Sequence, residues 1–336
     1  MSKKTKEHST VKQFSLKGHS RPVRMVKYNR DGDMFFTCSS DYSIIAWSND
    51  NGEKLGVMKG PSACKAIALS RNTEFIAGAF LMEGIVIFNA TNGKEVFKFK
   101  PEDGGKAEYV ELSYGDKELL VLNVKDGKSK VTIYDFEALL VKEKKVIKVF
   151  NYDGEITQIS YGYLNEKLYA STINGLMMII DYESEQTEKT EKIHPGHQIF
   201  SFTFSHDFSM LASCGKDGMW KLLHPETLEV VKMYNKESPW RWASFTPLME
   251  LEGSDKYHIL IGGGQDAREV TTTKAQEGSF ETRLYHIIFE EELAQIKGHF
   301  GPVHSIEVSP DGRSFVTTSE DGTVRLQRFP LDYFES

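Results

Sequence analysis

The chain has 336 residues, 40% of them hydrophobic and 26% charged, which is the make-up of an ordinary water-soluble folded protein and excludes a low-complexity one. A net charge of −7 argues against nucleic-acid binding driven by bulk electrostatics, and three scattered cysteines, Cys38, Cys64 and Cys214, show neither a disulfide framework nor zinc-ligand spacing. No apolar leader opens the chain and no apolar run approaches the ~20 residues of a membrane span, so a cytoplasmic protein without a membrane partner is expected.

Lys3, Lys4 and Lys6 make residues 1–10 a basic tip, expected to be flexible. Residues 11–16 alternate as a strand. Gly18-His19 follows, then runs at 23–28, 35–39 and 44–47 separated by Asp31-Gly32 and Asp41, with Trp47 closing the third run and an outer strand near 54–58. Period-two alternation broken by Asp-Gly corners is a meander of short strands, since hairpin turns favour the positive φ that glycine adopts without steric cost. The second unit replaces Gly-His by Gly60-Pro61 and keeps runs at 66–69, 75–79 and 85–88, closing on Phe88. The third has runs at 109–112, 118–123 and 131–134, with 125–130 as a polar turn. The fourth has 156–160, 168–171 and 176–180 around an Asn174-Gly175 turn, and a charged segment, 183–192, leads out of it. The fifth opens at Gly196-His197 and contains 200–204, 210–213, Asp217-Gly218 and 220–223. In the sixth, runs at 242–245 and 258–261 precede Gly262-Gly263-Gly264-Gln265-Asp266, which opens a long polar excursion to Gly278 before 280–286. Loops of that length are usually functional or mobile. The seventh reads Gly298-His299, 303–308, Asp311-Gly312, 315–319, Asp321-Gly322 and 324–326.

A Gly-His pair opening a meander, an Asp some twenty residues on and a closing aromatic are the WD-repeat signature. Repeats of about 40–45 residues, seven times over, fill roughly 280–315 positions. The expected fold is therefore all-β: one seven-bladed WD-repeat β-propeller over 11–330, with a short tail at 331–336. The strand at 11–16 is expected to supply the outer strand of the last blade, so that first and last repeats join and the ring closes. His19, Ser39, Asp41 and Trp47 in the first repeat, and His299, Ser319 and Asp321 in the last, are expected to form hydrogen-bonded networks that hold loops to strands.

Those same residues are the types found in a hydrolase triad. Neither serine sits in a Gly-x-Ser-x-Gly turn, and an active site occurs once where this set occurs twice, so no enzyme activity is expected. Gly262-Gly263-Gly264 has no Gly-Lys-Ser/Thr after it and reads as a flexible strand exit instead of a phosphate loop. His194 and His197 lack further ligands nearby, and His197 is assigned to the Gly-His position, so neither a metal nor another cofactor is expected. Thr271, Thr272 and Thr273 read as β-branched residues of an extended loop.

Other strings are not required by any generic WD repeat. They include Ile261-Gly262-Gly263-Gly264-Gln265-Asp266-Ala267, Val270-Thr271-Thr272-Thr273, Gly278, Phe280-Glu281, Phe289-Glu290-Glu291-Glu292 and Lys297-Gly298-His299-Phe300-Gly301-Pro302. With Lys27-Tyr28-Asn29-Arg30-Asp31-Gly32-Asp33, Asn51-Gly52-Glu53-Lys54-Leu55-Gly56 and the closing Tyr333-Phe334-Glu335, they closely resemble the family of subunit i of eukaryotic translation initiation factor three. The likeness is strong at both ends and faint from about 60 to 190. It implies a non-catalytic scaffold held by a helix near the C-terminus of subunit b, with subunit g nearby, acting in initiation-complex assembly and mRNA scanning on the small ribosomal subunit. It places the partner helix on the blade-five and blade-six side. There Asp207 would pair with a basic partner residue, Leu222 would anchor the apolar helix face, and His224 stands where the family carries a second acid. No direct sequence-specific contact with nucleic acid is expected. A generic WD adaptor in signalling is the alternative, and an enzyme is a third class that would need a single convergent pocket.

Overall fold

The computed structural model describes residues 11–101, 104–235, 238–247, 257–265 and 280–335. The tip at 1–10 and the excursion from Asp266 to Gly278, with Thr271, Thr272 and Thr273, lie outside the described residues. The chain forms seven four-stranded antiparallel sheets arranged as a β-propeller. Six blades are consecutive in sequence, at 23–59, 64–99, 106–152, 156–192, 199–235 and 240–296. The seventh combines Val303–Val308, Ser314–Ser319 and Val324–Arg328 with the N-terminal strand Lys12–Leu16. That strand pairs antiparallel with Val324–Arg328, from Leu16 opposite Val324 to Lys12 opposite Arg328.

Burial falls across each blade in a way the residues explain. Second and third strands, such as Ile76 to Phe80 in Phe75–Phe80, are packed on both faces by the neighbouring blades and read as near-continuous apolar runs. Outer strands touch a blade on one side only and carry polar residues. The charged segment expected merely to leave blade four is its fourth strand, Thr187–Lys192, almost wholly exposed and paired with Leu176–Asp181. In blade three the presumed turn at 125–130 is tighter than expected. Strands Glu118–Lys125 and Lys128–Asp135 run to a two-residue corner, Asp126-Gly127, with positive φ at both positions. A short helix, Phe136–Leu140, capped by the Asp135 carboxylate on the Ala138 N–H, follows.

The seven first strands stand side by side around a central channel. Each shows the same register shift near its start, between Val23 and Met25 in blade one and between Val303 and Ser305 in blade seven, for example. Such a bulge leaves one residue out of the ladder and re-aims its side chain. The seven residues so displaced are Arg24, Lys65, Glu108, Thr157, Phe200, Arg241 and His304, and all of them line one wide mouth of the channel, a cavity of about 690 Å³.

Gly262 and Gly263 are buried within strand His258–Gly263 and do not form a flexible exit. A side chain at Gly262 would come within 2.6 Å of Ile306 in blade seven, so the glycine is there to let two blades close together. At the C-terminus, residues 332–335 turn through helix Asp332–Glu335 and pack back: Tyr333 Oη lies 2.6 Å from His258 Nδ1, and its ring stacks on Phe329 with centroids 4.4 Å apart.

Candidate functional site

Three blade corners carry the same hydrogen-bonded unit. In blade one, His19 Nδ1 lies 3.0 Å from Asp41 Oδ2 and Nε2 lies 2.8 Å from Thr37 Oγ1, which also accepts the Trp47 indole N–H at 2.8 Å. Asp41 further accepts the Ser20 and Ser43 amides and the Ser43 hydroxyl. The chain therefore runs Trp47, Thr37, His19, Asp41. Ser39 does not touch the histidine. Its hydroxyl donates to the Arg21 carbonyl at 3.0 Å and accepts the Asp41 N–H at 3.1 Å, so both of its roles are used on backbone. Thr37 was missed in the sequence although it lies two residues before Ser39, on the same face of the strand.

Blade seven repeats the unit with His299, Thr317 and Asp321, and Ser319 again binds backbone at Gly301 and Asp321. Where Trp47 stands in blade one, the Gln327 amide lies 3.1 Å from Thr317 Oγ1. The third copy corrects the reading of blade five. His194, fully buried, lies 2.9 Å from Asp217 and 3.0 Å from Ser213 Oγ, while His197 is exposed in the loop beyond it. The unit is defined by a histidine 22 or 23 residues before its aspartate, and the preceding glycine is dispensable. In blade one the glycine has its own steric reason: a side chain at Gly18 would meet the Trp47 ring at 2.7 Å. Burial alone would raise the Asp41 and Asp321 carboxyls. The hydrogen bonds from His19 and Ser43 in one case, and from His299 and the Phe300 amide in the other, outweigh it and hold both well below the usual carboxylate range.

Asp207 and His224 lie on one face of blade five, in turns at the same end of its strands, and both are exposed. Asp207 Oδ1 accepts from the Ser205 hydroxyl at 2.6 Å, the Ser209 amide at 3.0 Å and the Ser209 hydroxyl at 2.7 Å, bonds that lower its pKa against the opposing effect of burial. Leu222 is not with them. At 3% exposure it sits in the core between blades five and six, with Trp220, Trp240 and Ile259, because it faces inward on a strand packed against the next blade. It presents no surface to a partner.

The EIF3I family model matches residues 11–336. Proteins named eukaryotic translation initiation factor 3 subunit I are 32% identical in Culex quinquefasciatus, 33% in Candida glabrata and 30% in Schizosaccharomyces pombe. Each alignment covers 97% of this chain and 99%, 94% and 98% of the respective relative. The chain belongs to the EIF3I family.

Several of the strings that no generic WD repeat requires lie on blade six. Ile261, Gly262 and Gly263 end a buried strand. The turn 287–290 presents Phe289 at 66% exposure and leads into strand Glu291–Ile296, where Glu292 binds Arg283 at 2.9 Å. Among the described residues no His, Cys, Asp and Glu group capable of holding a metal ion occurs, and no helix is long and apolar enough to cross a membrane.

Proposed function

We propose that this chain is a cytoplasmic, non-catalytic scaffold subunit of eukaryotic translation initiation factor 3, held by a helix near the C-terminus of subunit b with subunit g nearby, supporting initiation-complex assembly and mRNA scanning on the small ribosomal subunit. The observation that carries this reading is the end-to-end match with proteins of that name, which leaves no sizeable part of either chain unaligned. The three histidine–aspartate pairs are consistent with a structural role, since each histidine is buried and held at both ring nitrogens. For the partner contact, the exposed Asp207 carboxylate is the residue on which a basic helix would depend, and Leu222 is withdrawn as its apolar anchor.

The test is a pull-down of the tagged full chain from its own cytosol, with mass spectrometry of the captured proteins and gradient sedimentation against small ribosomal subunits. Recovery of subunits b and g with the wild type, and their loss with Asp207→Asn, is the expected result. Capture of neither subunit by the wild type overturns the reading and returns the chain to the generic WD adaptors.

A further inference from the structure

The channel end opposite the wide mouth carries a charge imbalance among the described residues. One residue before the end of their strands, Lys27, Glu111, Ser160, Thr203, Ser244 and Glu307 face a second cavity of about 340 Å³, which opens between the turns on the Asp207 side. Glu307 Oε2 accepts the Tyr28 N–H at 3.0 Å, and its other oxygen lies 4.0 Å from Lys27 Nζ. Glu111 Oε1 accepts the Ser160 hydroxyl at 2.8 Å, whereas Oε2 is shielded and has no hydrogen-bond partner. One lysine thus stands against two carboxylates held on blades three and seven. Burial pushes both carboxyls up to about 7, against the Ser160 hydrogen bond on Glu111 and the Lys27 charge on Glu307. Both side chains are half-buried, and a carboxylate with a shielded, unpartnered oxygen gains when a cation reaches it. The walls beside it are aromatic: Phe204 and Phe208, with centroids 5.0 Å apart, and Trp242 line the same cavity. A metal ion does not suit this set, because the carboxylates form no cluster with a third ligand among the described residues.

We propose that this end of the channel is a binding site for one cationic side chain, the arginine guanidinium or lysine ammonium of a peptide segment, seated between Glu111 and Glu307 with its alkyl stem against Phe204, Phe208 and Trp242. The planar fork of arginine suits two carboxylates on different blades better than a point charge, and aromatic walls favour it further. The site lies at the channel end that the Asp207 turn borders, since Ser205, His206 and Phe208 of that turn line the cavity, and it does not depend on the family reading.

The experiment measures fluorescence anisotropy of a fluorescein-labelled Tyr-Leu-Arg-Leu-Tyr peptide on the full chain, beside a twin carrying citrulline in place of arginine. The arginine peptide is expected to bind at least tenfold more tightly than the twin. Glu111→Gln combined with Glu307→Gln is expected to abolish that difference, and Lys27→Met, which removes the resident competitor, to tighten binding several-fold. Equal affinity for the two peptides overturns the proposal, as does a double variant that still prefers arginine. Should the double variant fail to fold, Lys27→Met decides: unchanged or weaker binding of the arginine peptide overturns the site. Ethylguanidinium added alone separates the sources. Displacement of the peptide only at far higher concentration supports a peptide-borne cation, and displacement at equal concentration overturns it in favour of a free organic cation.

Discussion

Asp41 shows how much one side chain holds at a blade corner. Its carboxylate serves His19, two backbone amides and a hydroxyl, so Asp41→Ala leaves several shielded donors without an acceptor. Urea unfolding should show a loss of about 1–3 kcal/mol, and Asp321→Ala a similar one. Because the folded-state pKa is depressed, this contribution is complete above the unfolded carboxyl pKa near 4 and fades as pH falls below it. The gap between wild type and Asp41→Asn should therefore be present at pH 6 and shrink through the acid range. Glu307 carries the opposite sign. Its pKa is raised to about 7, so folding favours the neutral acid and stability declines between about pH 4.5 and 7. Glu307→Gln should raise the melting temperature at pH 8, by a stabilisation of roughly 1–3 kcal/mol, and leave it unchanged at pH 4. Asp207 has a structural share that its sequence position did not reveal. An Asp207→Lys variant loses three hydrogen bonds in its turn and should cost about 1 kcal/mol. Asn72 accepts from Ser70 and the Glu74 amide in the corresponding turn of blade two, which shows that an amide keeps this geometry. Asp207→Asn should therefore remove charge without the structural loss, and thermal melts of the two variants separate these effects.

Strand by strand, legibility in the sequence tracked burial. Inner strands carry apolar residues because the channel-side ladder and the neighbouring blades cover them, and their period was readable from residue order alone. Outer strands such as Thr187–Lys192 and Val230–Asn235 have one covered face and mixed composition, so their residues look like linkers. The seven bulges have no residue signature, since arginine, lysine, glutamate, threonine, phenylalanine and histidine all occupy the displaced position. The fifth-blade histidine was misassigned because Gly196-His197 mimics the dipeptide while the spacing to Asp217 selects His194. Leu222 belongs to the same lesson, for a one-residue difference along a strand decides whether a side chain faces water or core. At the contact between blades six and seven, Gly262→Ala places a methyl 2.6 Å from Ile306, within a core that cannot yield freely. Overpacking of about 1–3 kcal/mol is the expected cost, read by chemical denaturation, and Ile306→Val in the same chain should recover part of it.

At the scale of the molecule, seven blades meet around a channel whose wide mouth is ringed by the displaced residues and whose other end holds the carboxylates. The acidic net charge disguised this arrangement, because Arg24, Lys65 and Arg241, on blades one, two and six, are gathered at one mouth by the fold and not by the sequence. The pairing of Lys12–Leu16 with Val324–Arg328 has a consequence for how the protein is made. At synthesis rates of ~5–20 residues per second, the first strand waits roughly 15–60 s for its partner to leave the ribosome. Throughout that interval blades one to six can assemble while the earliest residues remain an unclaimed edge, open to any other nascent strand. A ribosome stalled just before the last repeat would hold a nearly finished ring with that edge still exposed, so slow codons or truncations late in the message should promote aggregation.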